Sequence, residues 1–213
     1  MAVTIADPVG QKIVASLARP GANITGNAIL GEVLVAKRVE LLREVLPKAK
    51  RVGYLANPSN PVTPAVLEHL RAAATKLGVD VVQFNASNVG ELDEVLKVIA
   101  NQRLDALMLG GDALFSIFGK RIAESVLKSR VPAIHAFSEA VIDGGLISYA
   151  ASTQEFFHNA AKFVHRILNG AKPGDLPIEQ PTRVEMFINL KTAKALGVTI
   201  PQSVLLRADR VIE

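Results

Sequence analysis

The chain has 213 residues, of which 49% are hydrophobic and 21% are charged, so it can bury a substantial core and is not a disordered protein. It contains no cysteine, which excludes disulfide frameworks, thiolate zinc sites and cysteine nucleophiles. Its formal net charge of +4 comes from dispersed lysines and arginines, which argues against a nucleic-acid surface, and no apolar run is long enough to predict a membrane span.

The N-terminal quarter predicts short elements followed by one long helix. Residues 1–8 are typical of the end of a strand that enters a loop. Residues 11–17 predict a short helix, and residues 23–30 predict a strand. Over residues 31–46 the apolar side chains recur every three to four positions, which predicts an amphipathic helix that Pro47 ends.

Four strand-then-helix repeats come next in the chain. Short apolar runs predict strands at 52–56, 79–84, 106–109, 131–136 and 146–149. Helical patterns follow at 65–77, 90–101 and 112–129, with a short helical turn before Asp143. Beyond them we expect a helix over 153–168 capped by Thr153, a strand over 184–188, a short helix over 192–196, and a helical or extended tail over 204–212.

This alternation is the signature of an α/β fold with parallel, doubly wound sheets. In such sheets ligands bind outside the carboxyl ends of the strands. The loop after the strand at 52–56 offers Asn57, Ser59, Asn60 and Thr63, which are available either as helix caps or as contacts to a small anion at a helix start. A plain strand-to-helix turn with its own cap is the alternative.

Other candidates follow later strands. Asp112 comes after a glycine pair and is suited either to a ligand amino group or to capping the next helix. Phe137 and Tyr149 lie near strand ends, where they either stack on a flat ligand or pack in the core. His158 and His165 share a helix face, but surface or packing roles are favoured over metal binding.

Enzymatic patterns are weak. Asp112, His135 and Ser138 are conceivable as a catalytic triad, but no Gly-x-Ser-x-Gly elbow accompanies them. Neither a Gly-x-Gly-x-x-Gly fingerprint nor a Walker A sequence is present, so we expect no nucleotide cofactor and no enzyme activity.

Several phrases together resemble a known family. They are Asp7-Pro-Val-Gly10, Leu17-Ala-Arg-Pro-Gly-Ala-Asn-Ile-Thr-Gly26, Lys37-Arg-Val-Glu-Leu-Leu-Arg43, Asn57-Pro-Ser-Asn-Pro61 and Asn189-Leu-Lys-Thr-Ala-Lys-Ala-Leu-Gly-Val-Thr-Ile-Pro201. In this order they resemble the periplasmic substrate-binding components of ABC transporters, the family that includes tryptophan-binding lipoproteins.

The resemblance implies a type I periplasmic binding protein fold, in which two α/β lobes joined by three crossings hold a small molecule between them. Residues 51–149 would form a complete second lobe, and residues 1–50 with 150–213 a partial first lobe. Members normally carry a signal peptide and about another hundred residues before the Asp7 phrase. We therefore expect either a truncated form or a remnant first lobe, with self-association through that incomplete lobe.

The implied function is capture of an amino acid or related zwitterion for ABC permease subunits, by hinge closure around the ligand. The expected contacts are Asp7, Asn57, Ser59, Asn60, Asp112, Phe137 and Tyr149. The expected location is periplasmic or lipoprotein-anchored for a full-length form, and cytoplasmic if the chain genuinely starts at Met1. Two alternatives remain open: the effector-binding domain of a regulator with the same fold, and a remnant that binds no ligand.

Overall fold

A computed structural model describes residues 2–29 and 31–213. The chain forms two compact units, each made of two segments of the sequence. Unit 1 comprises Met1–Gly31 with Ala151–Val184, and unit 2 comprises Glu32–Ala150 with Glu185–Glu213.

The observed elements follow the expected alternation closely. The strands are β1 (Ala2–Ala6), β2 (Gly26–Ile29), β3 (Arg51–Ala56), β4 (Asp80–Asn85), β5 (Ala106–Leu109), β6 (Ala133–His135), β7 (Ile147–Ala151), β8 (Val184–Asn189) and β9 (Arg210–Ile212). The helices are α1 (Gly31–Val45), α2 (Thr63–Lys76), α3 (Val89–Ala100), α4 (Ala113–Ile117), α5 (Gly119–Lys128), α6 (Glu139–Ile142), α7 (Thr153–Leu168), α8 (Leu190–Leu196) and α9 (Gln202–Leu205). None of these helices has both the length and the apolar character needed to cross a membrane.

Unit 2 is built around a sheet whose strand order is β4-β3-β5-β6-β7-β8-β9. Neighbours from β4 to β7 pair in parallel, as do β8 and β9. The pair β7–β8 is antiparallel, because Asn189 N donates to Leu146 O at one end and Ser152 N donates to Arg183 O at the other. The doubly wound prediction is confirmed, with this one antiparallel pair as an addition.

Strand β3 shows why the sheet is covered on both faces. Tyr54 belongs to a buried cluster with side chains of α1, α2 and α8, whereas the next residue, Leu55, belongs to a cluster with side chains of α3 and α5. Alternate residues of a strand point to opposite faces, so both faces of β3 are buried, and after the exposed Arg51 every residue of the strand is buried. The order of β4, β3 and β5 places a topological switch point between β3 and β5.

Unit 1 is smaller. Strands β1 and β2 pair in parallel, and α7 packs on both. Asn27 forms an isolated parallel bridge with Glu179, and its side-chain amide donates to the backbone oxygen of Phe156 at 3.2 Å. A small buried cluster of Val14, Ala28 and Ile178 fills the interior between these segments.

Two helix predictions are wrong. Residues 11–17 form turns rather than a helix, because Lys12 has a φ of +57° and Ile13 N donates back to Pro8 O. The single helix expected over 112–129 is two helices that meet at Phe118. Gly119 comes close to Ala140 at this junction, where a Cβ on the glycine would lie 3.3 Å from the alanine Cβ.

One smaller expectation is wrong and another is made more specific by the structure. Thr153 is the first helical residue of α7, and the N-cap position is Ser152, without a side-chain hydrogen bond. The tail over 204–212 is partly helical and partly extended, since α9 ends at Leu205 and β9 begins at Arg210.

The two units differ from the predicted lobes at residues 32–50 and 185–213. Helix α1 buries Val35 and Leu42 in the same cluster as Tyr54, and β8 contributes Ile188 to it. Packing therefore groups both segments with unit 2, while the predicted boundaries of the functional lobes stay a prediction.

Candidate functional site

The loop after β3 is held by its own side chains. Asn57 Oδ1 accepts the N–H of Ser59 at 2.9 Å, and Asn60 Oδ1 accepts the N–H of Val62 at 3.2 Å. Thr63 Oγ1 donates to the backbone oxygen of Asn57 at 2.6 Å. None of the four polar residues caps α2, whose N-cap position is Val62 with no side-chain hydrogen bond. The expected capping of α2 by one of these residues is therefore wrong, while a ligand contact by this loop stays a prediction.

Asp112 connects this loop to the end of β5. Its Oδ2 accepts from Asn60 Nδ2 at 2.8 Å, and its Oδ1 accepts from Asn57 Nδ2 at 3.2 Å. The same Oδ1 accepts the N–H of Leu114 at 2.9 Å, so Asp112 also caps α4. The carboxylate thus fixes two loops on either side of the switch point between β3 and β5.

A hydroxyl pair borders this cluster. Ser59 Oγ donates to Ser87 Oγ at 3.2 Å, which links the loop after β3 to the loop after β4. Backbone N–H groups at the start of α3 already have acceptors within the chain. Asn88 Oδ1 accepts the N–H of Glu91, and the Glu91 carboxylate accepts the N–H of Ser87 at 2.8 Å. Ser59 is exposed, so its hydroxyl is accessible to a ligand.

Two buried side chains, those of Tyr54 and Arg38, also bear on this site. A Cβ at Gly110 would lie 3.1 Å from the Tyr54 hydroxyl, so glycine lets the tyrosine reach the end of β5. Burial raises the pKa of Tyr54 to about 12, although the charge of Arg38 acts in the opposite direction. Arg38 is 5% exposed, its Nε donates to the backbone oxygen of Tyr149 at 2.8 Å, and burial lowers its pKa to about 10.

Arg38 is absent from the residues predicted from the sequence, although a signal for it is present. It lies three residues after Val35 and four before Leu42, in the stripe of α1 that faces the core. A charged residue in such a stripe indicates a buried charge rather than a solvated surface. Ser87 is also missing from the predicted contacts, because a serine in a loop after a strand is an ordinary loop or capping residue.

The remaining predicted residues have varied surroundings. Phe137 is half-buried, and half-buried Tyr149 packs against the larger core cluster of unit 2. Asp7 belongs to unit 1, where it has a φ of +41° and its Oδ1 accepts the N–H of Gly10 at 2.9 Å. Asp7 therefore has a turn role. A ligand contact by any of these three residues stays a prediction.

Asp112, His135 and Ser138 are not joined by the hydrogen bonds that a catalytic triad requires. His135 is 1% exposed and its Nε2 has no hydrogen-bond partner, while Ser138 Oγ accepts from Ser148 Oγ at 3.4 Å. Burial lowers the pKa of His135 from 6.5 to about 4, so the ring is neutral. Within the described part of the chain, no three histidine, aspartate or glutamate side chains converge in a way that could hold a metal ion.

Comparison with known proteins points to one family. The family model for ABC transporter substrate binding proteins matches residues 1–212. A curated Tyrosine-binding protein of Clostridioides difficile is 26% identical over 194 residues, which cover 91% of this chain and 55% of that protein. The chain thus spans little more than half the length of this relative.

Solved structures agree with that match. An ABC domain in complex with L-Trp from Streptococcus pneumoniae is 30% identical, with a TM-score of 0.88 over 99% of this chain and 72% of that one. A conserved domain protein from Vibrio cholerae is 29% identical, with a TM-score of 0.87 over 96% of this chain and 68% of that one. With the family model matching nearly every residue, the chain belongs to the ABC transporter substrate-binding protein family and has its type I periplasmic-binding-protein-like fold.

Proposed function

We propose that this chain captures an amino acid for delivery to the permease subunits of an ABC importer. Aromatic amino acids are the first candidates for its ligand. The family assignment supports the importer role. The ligand class is supported by two relatives, one named as tyrosine-binding and one solved with L-Trp. These relatives are substrate-binding proteins, not enzymes.

The Asp112 cluster at the switch point is the observation that carries the proposal. An ionised carboxylate has about four acceptor positions, and Asp112 uses three of them for Asn57, Asn60 and Leu114. The position that remains, on Oδ2, suits the ammonium group of an amino acid. The loop is held in place before the ligand arrives, which lowers the ordering cost of binding.

Neutral hydrogen-bond donors lie beside Asp112 in the same cluster. The hydroxyl of Ser59 is exposed, and the amides of Asn57 and Asn60 each retain one N–H beyond the bond to Asp112. We assign these donors to hydrogen bonds with the carboxylate of the ligand, because an ammonium group has no acceptor for an N–H. Phe137 and Tyr149 are the proposed contacts for its side chain.

Hinge closure of two lobes on the ligand completes the proposed mechanism. The ligand shifts the protein towards the closed form only by as much as it binds that form better. The location proposed for the whole protein is periplasmic or lipoprotein-anchored, as is typical of the family.

A thermal-shift screen of amino acids, with Asp112→Asn as the test variant, examines this function. We expect stabilisation of the wild type by aromatic amino acids, and an affinity about 10- to 100-fold lower for Asp112→Asn, because an ammonium loses its charged partner. Asp93→Asn is the matched control, since the carboxylate of Asp93 lies on α3 and pairs with Arg121 at 2.6 Å. No thermal shift with any amino acid would refute the proposed function.

Self-association through unit 1 is part of the proposal. Helix α7 exposes three large apolar side chains at spacings of seven and four residues, namely Phe157 (62%), Val164 (42%) and Leu168 (81%). A helix face of this kind favours a helical partner, and we propose a second copy of the chain. Sedimentation equilibrium tests this, and a monodisperse monomer at high micromolar concentration would contradict it.

A further inference from the structure

Arg38 is a buried cation without a carboxylate partner. It is 5% exposed, and the groups that influence its pKa, apart from burial, are Tyr54 and Tyr149. Among the described residues no aspartate or glutamate forms an ion pair with it. Burying a guanidinium without an anion is costly, so such a group calls for an explanation.

The strand register places Arg38 at the carboxyl edge of the sheet. Leu55 of β3 is opposite Leu109 of β5, and His135 of β6 is opposite Ser148 of β7. One residue further along each strand, Gly110 follows β5 and Tyr149 lies on β7. The backbone oxygen of Tyr149 accepts the hydrogen bond from Arg38 Nε. The guanidinium therefore lies at the level where β5 and β6 have ended, on the side where ligands bind in such sheets.

Helix α1 directs the side chain to this edge. The helix ends at Val45, shortly before β3 begins at Arg51, so its C-terminal end lies near the amino ends of the strands. Long side chains of a helix point towards its N-terminus, which for Arg38 is the direction of the carboxyl edge. The nearby Tyr54 hydroxyl reaches Gly110, two residues before Asp112.

The tip of Arg38 is still available for a ligand. Its Nε is bonded to Tyr149, whereas Nη1 and Nη2 carry no hydrogen bond in the described part of the chain. Neither nitrogen is sealed from solvent in the way that His135 Nε2 is. Two adjacent N–H groups of a guanidinium match the two oxygens of a carboxylate.

We propose that Arg38 binds the carboxylate of the ligand through Nη1 and Nη2. This assignment rests on the proposed function, and it divides recognition of a zwitterion between two charged groups of unit 2. Asp112 takes the ammonium group and Arg38 takes the carboxylate, while Ser59 and Asn60 supply neutral hydrogen bonds. The Nε bond to Tyr149 fixes the plane of the guanidinium before ligand arrives.

The test compares L-tryptophan with L-tryptophanamide, which keeps the ammonium group and the indole but lacks the carboxylate. We expect the wild type to bind the amide about 10- to 100-fold more weakly. Arg38→Met is expected to bind both compounds with similar, weak affinity. If Arg38 only supported the fold, its substitution would weaken the binding of both compounds equally and leave the ratio of the two affinities unchanged.

The matched control is Arg43→Met. Arg43 lies on the same helix and its Nη1 donates to the backbone oxygen of Ala49 at 3.0 Å, so its loss changes packing and charge without removing Arg38. We expect its preference for L-tryptophan to equal that of the wild type. Arg38→Lys should keep part of the preference, because the charge remains but the fork of two N–H groups is lost.

Two results would overturn the assignment. One is a wild type that binds L-tryptophan and its amide equally, which needs no variant and leaves the proposed function intact. The other is an Arg38→Met protein that folds and keeps the wild-type ratio. A wild type that binds neither compound, nor any other amino acid, refutes the proposed function itself.

Discussion

Replacing His135 with leucine should change how the stability of this protein depends on pH. His135 is 1% exposed, and its Nε2 has no hydrogen-bond partner. The ring lies so close to Gly145 that a Cβ there would be 2.6 Å from Nε2. A proton added to this ring would be buried without an acceptor, so the folded protein resists protonation.

The magnitude follows from the pKa of the ring. Burial lowers the pKa of His135 from 6.5 in an unfolded chain to about 4 in the folded protein. The unfolded state therefore binds the proton first, and stability falls as the pH drops from about 7 towards 4. Linkage gives a loss of about 2 kcal/mol at pH 5, against about 0.2 kcal/mol at pH 7.

Urea unfolding followed by circular dichroism measures this effect. The wild type should lose about 2 kcal/mol more than His135→Leu between pH 7 and pH 5. Burial acts to raise the pKa of Glu155, but hydrogen bonds to its carboxylate outweigh this and lower it, and backbone hydrogen bonds lower the pKa of Asp105. Protonation of these two carboxylates therefore also destabilises the folded protein on acidification, but equally in both proteins. Parallel pH curves for the two proteins would show that burial of His135 is not the cause, whatever their absolute stabilities.

Two further substitutions test the local structure. Asn88→Ala should cost about 1 kcal/mol of unfolding free energy, because the amide caps α3 by accepting the N–H of Glu91, and an unchanged urea midpoint would contradict this. Gly110→Ala should cost about 1–3 kcal/mol, since the new methyl would lie 3.1 Å from the backbone oxygen of Leu55. Gly111→Ala is its control, because a Cβ there meets no atom within 4 Å, and equal losses for both glycines would show that packing is not the cause.

The architecture of unit 2 is predictable because its signals are local and repeated. Strand β5 is predicted at 106–109 and observed at Ala106–Leu109. Each apolar run there is too short for a helix and is followed by an amphipathic pattern, which leaves few arrangements besides a parallel sheet. The order of strands and the antiparallel β7–β8 pair depend on long-range contacts and cannot be predicted this way.

The wrong helices show where local patterns mislead. Residues 11–17 have helical composition, but a segment this short cannot propagate a helix without tertiary support. The fold instead buries Val14 against Ala28 and Ile178 in unit 1. At Phe118 the helical pattern continues in the sequence, and the break coincides with Gly119, which packs close to Ala140.

The candidate site is partly predictable. Asn57, Asn60 and Asp112 follow strands that are neighbours in the sheet, and their hydrogen bonds join them as the switch-point rule suggests. That the amides of Asn57 and Asn60 donate to the carboxylate of Asp112 does not follow from the sequence. These hydrogen bonds depend on the distance between two loops, which the sequence does not give. The switch-point rule does not reach Arg38, which lies on a helix rather than after a strand, and its only signal is a charge in the core-facing stripe of α1.

Binding of L-tryptophan to the purified chain is the decisive experiment for the proposed function. The chain contains no tryptophan, so fluorescence excited at the red edge of indole absorption reports the ligand without protein background. We predict a saturable change in emission with one site per chain, displaced by L-tyrosine and weakened in Asp112→Asn. The absence of any saturable signal, together with no heat of binding for the other amino acids, would contradict the proposal.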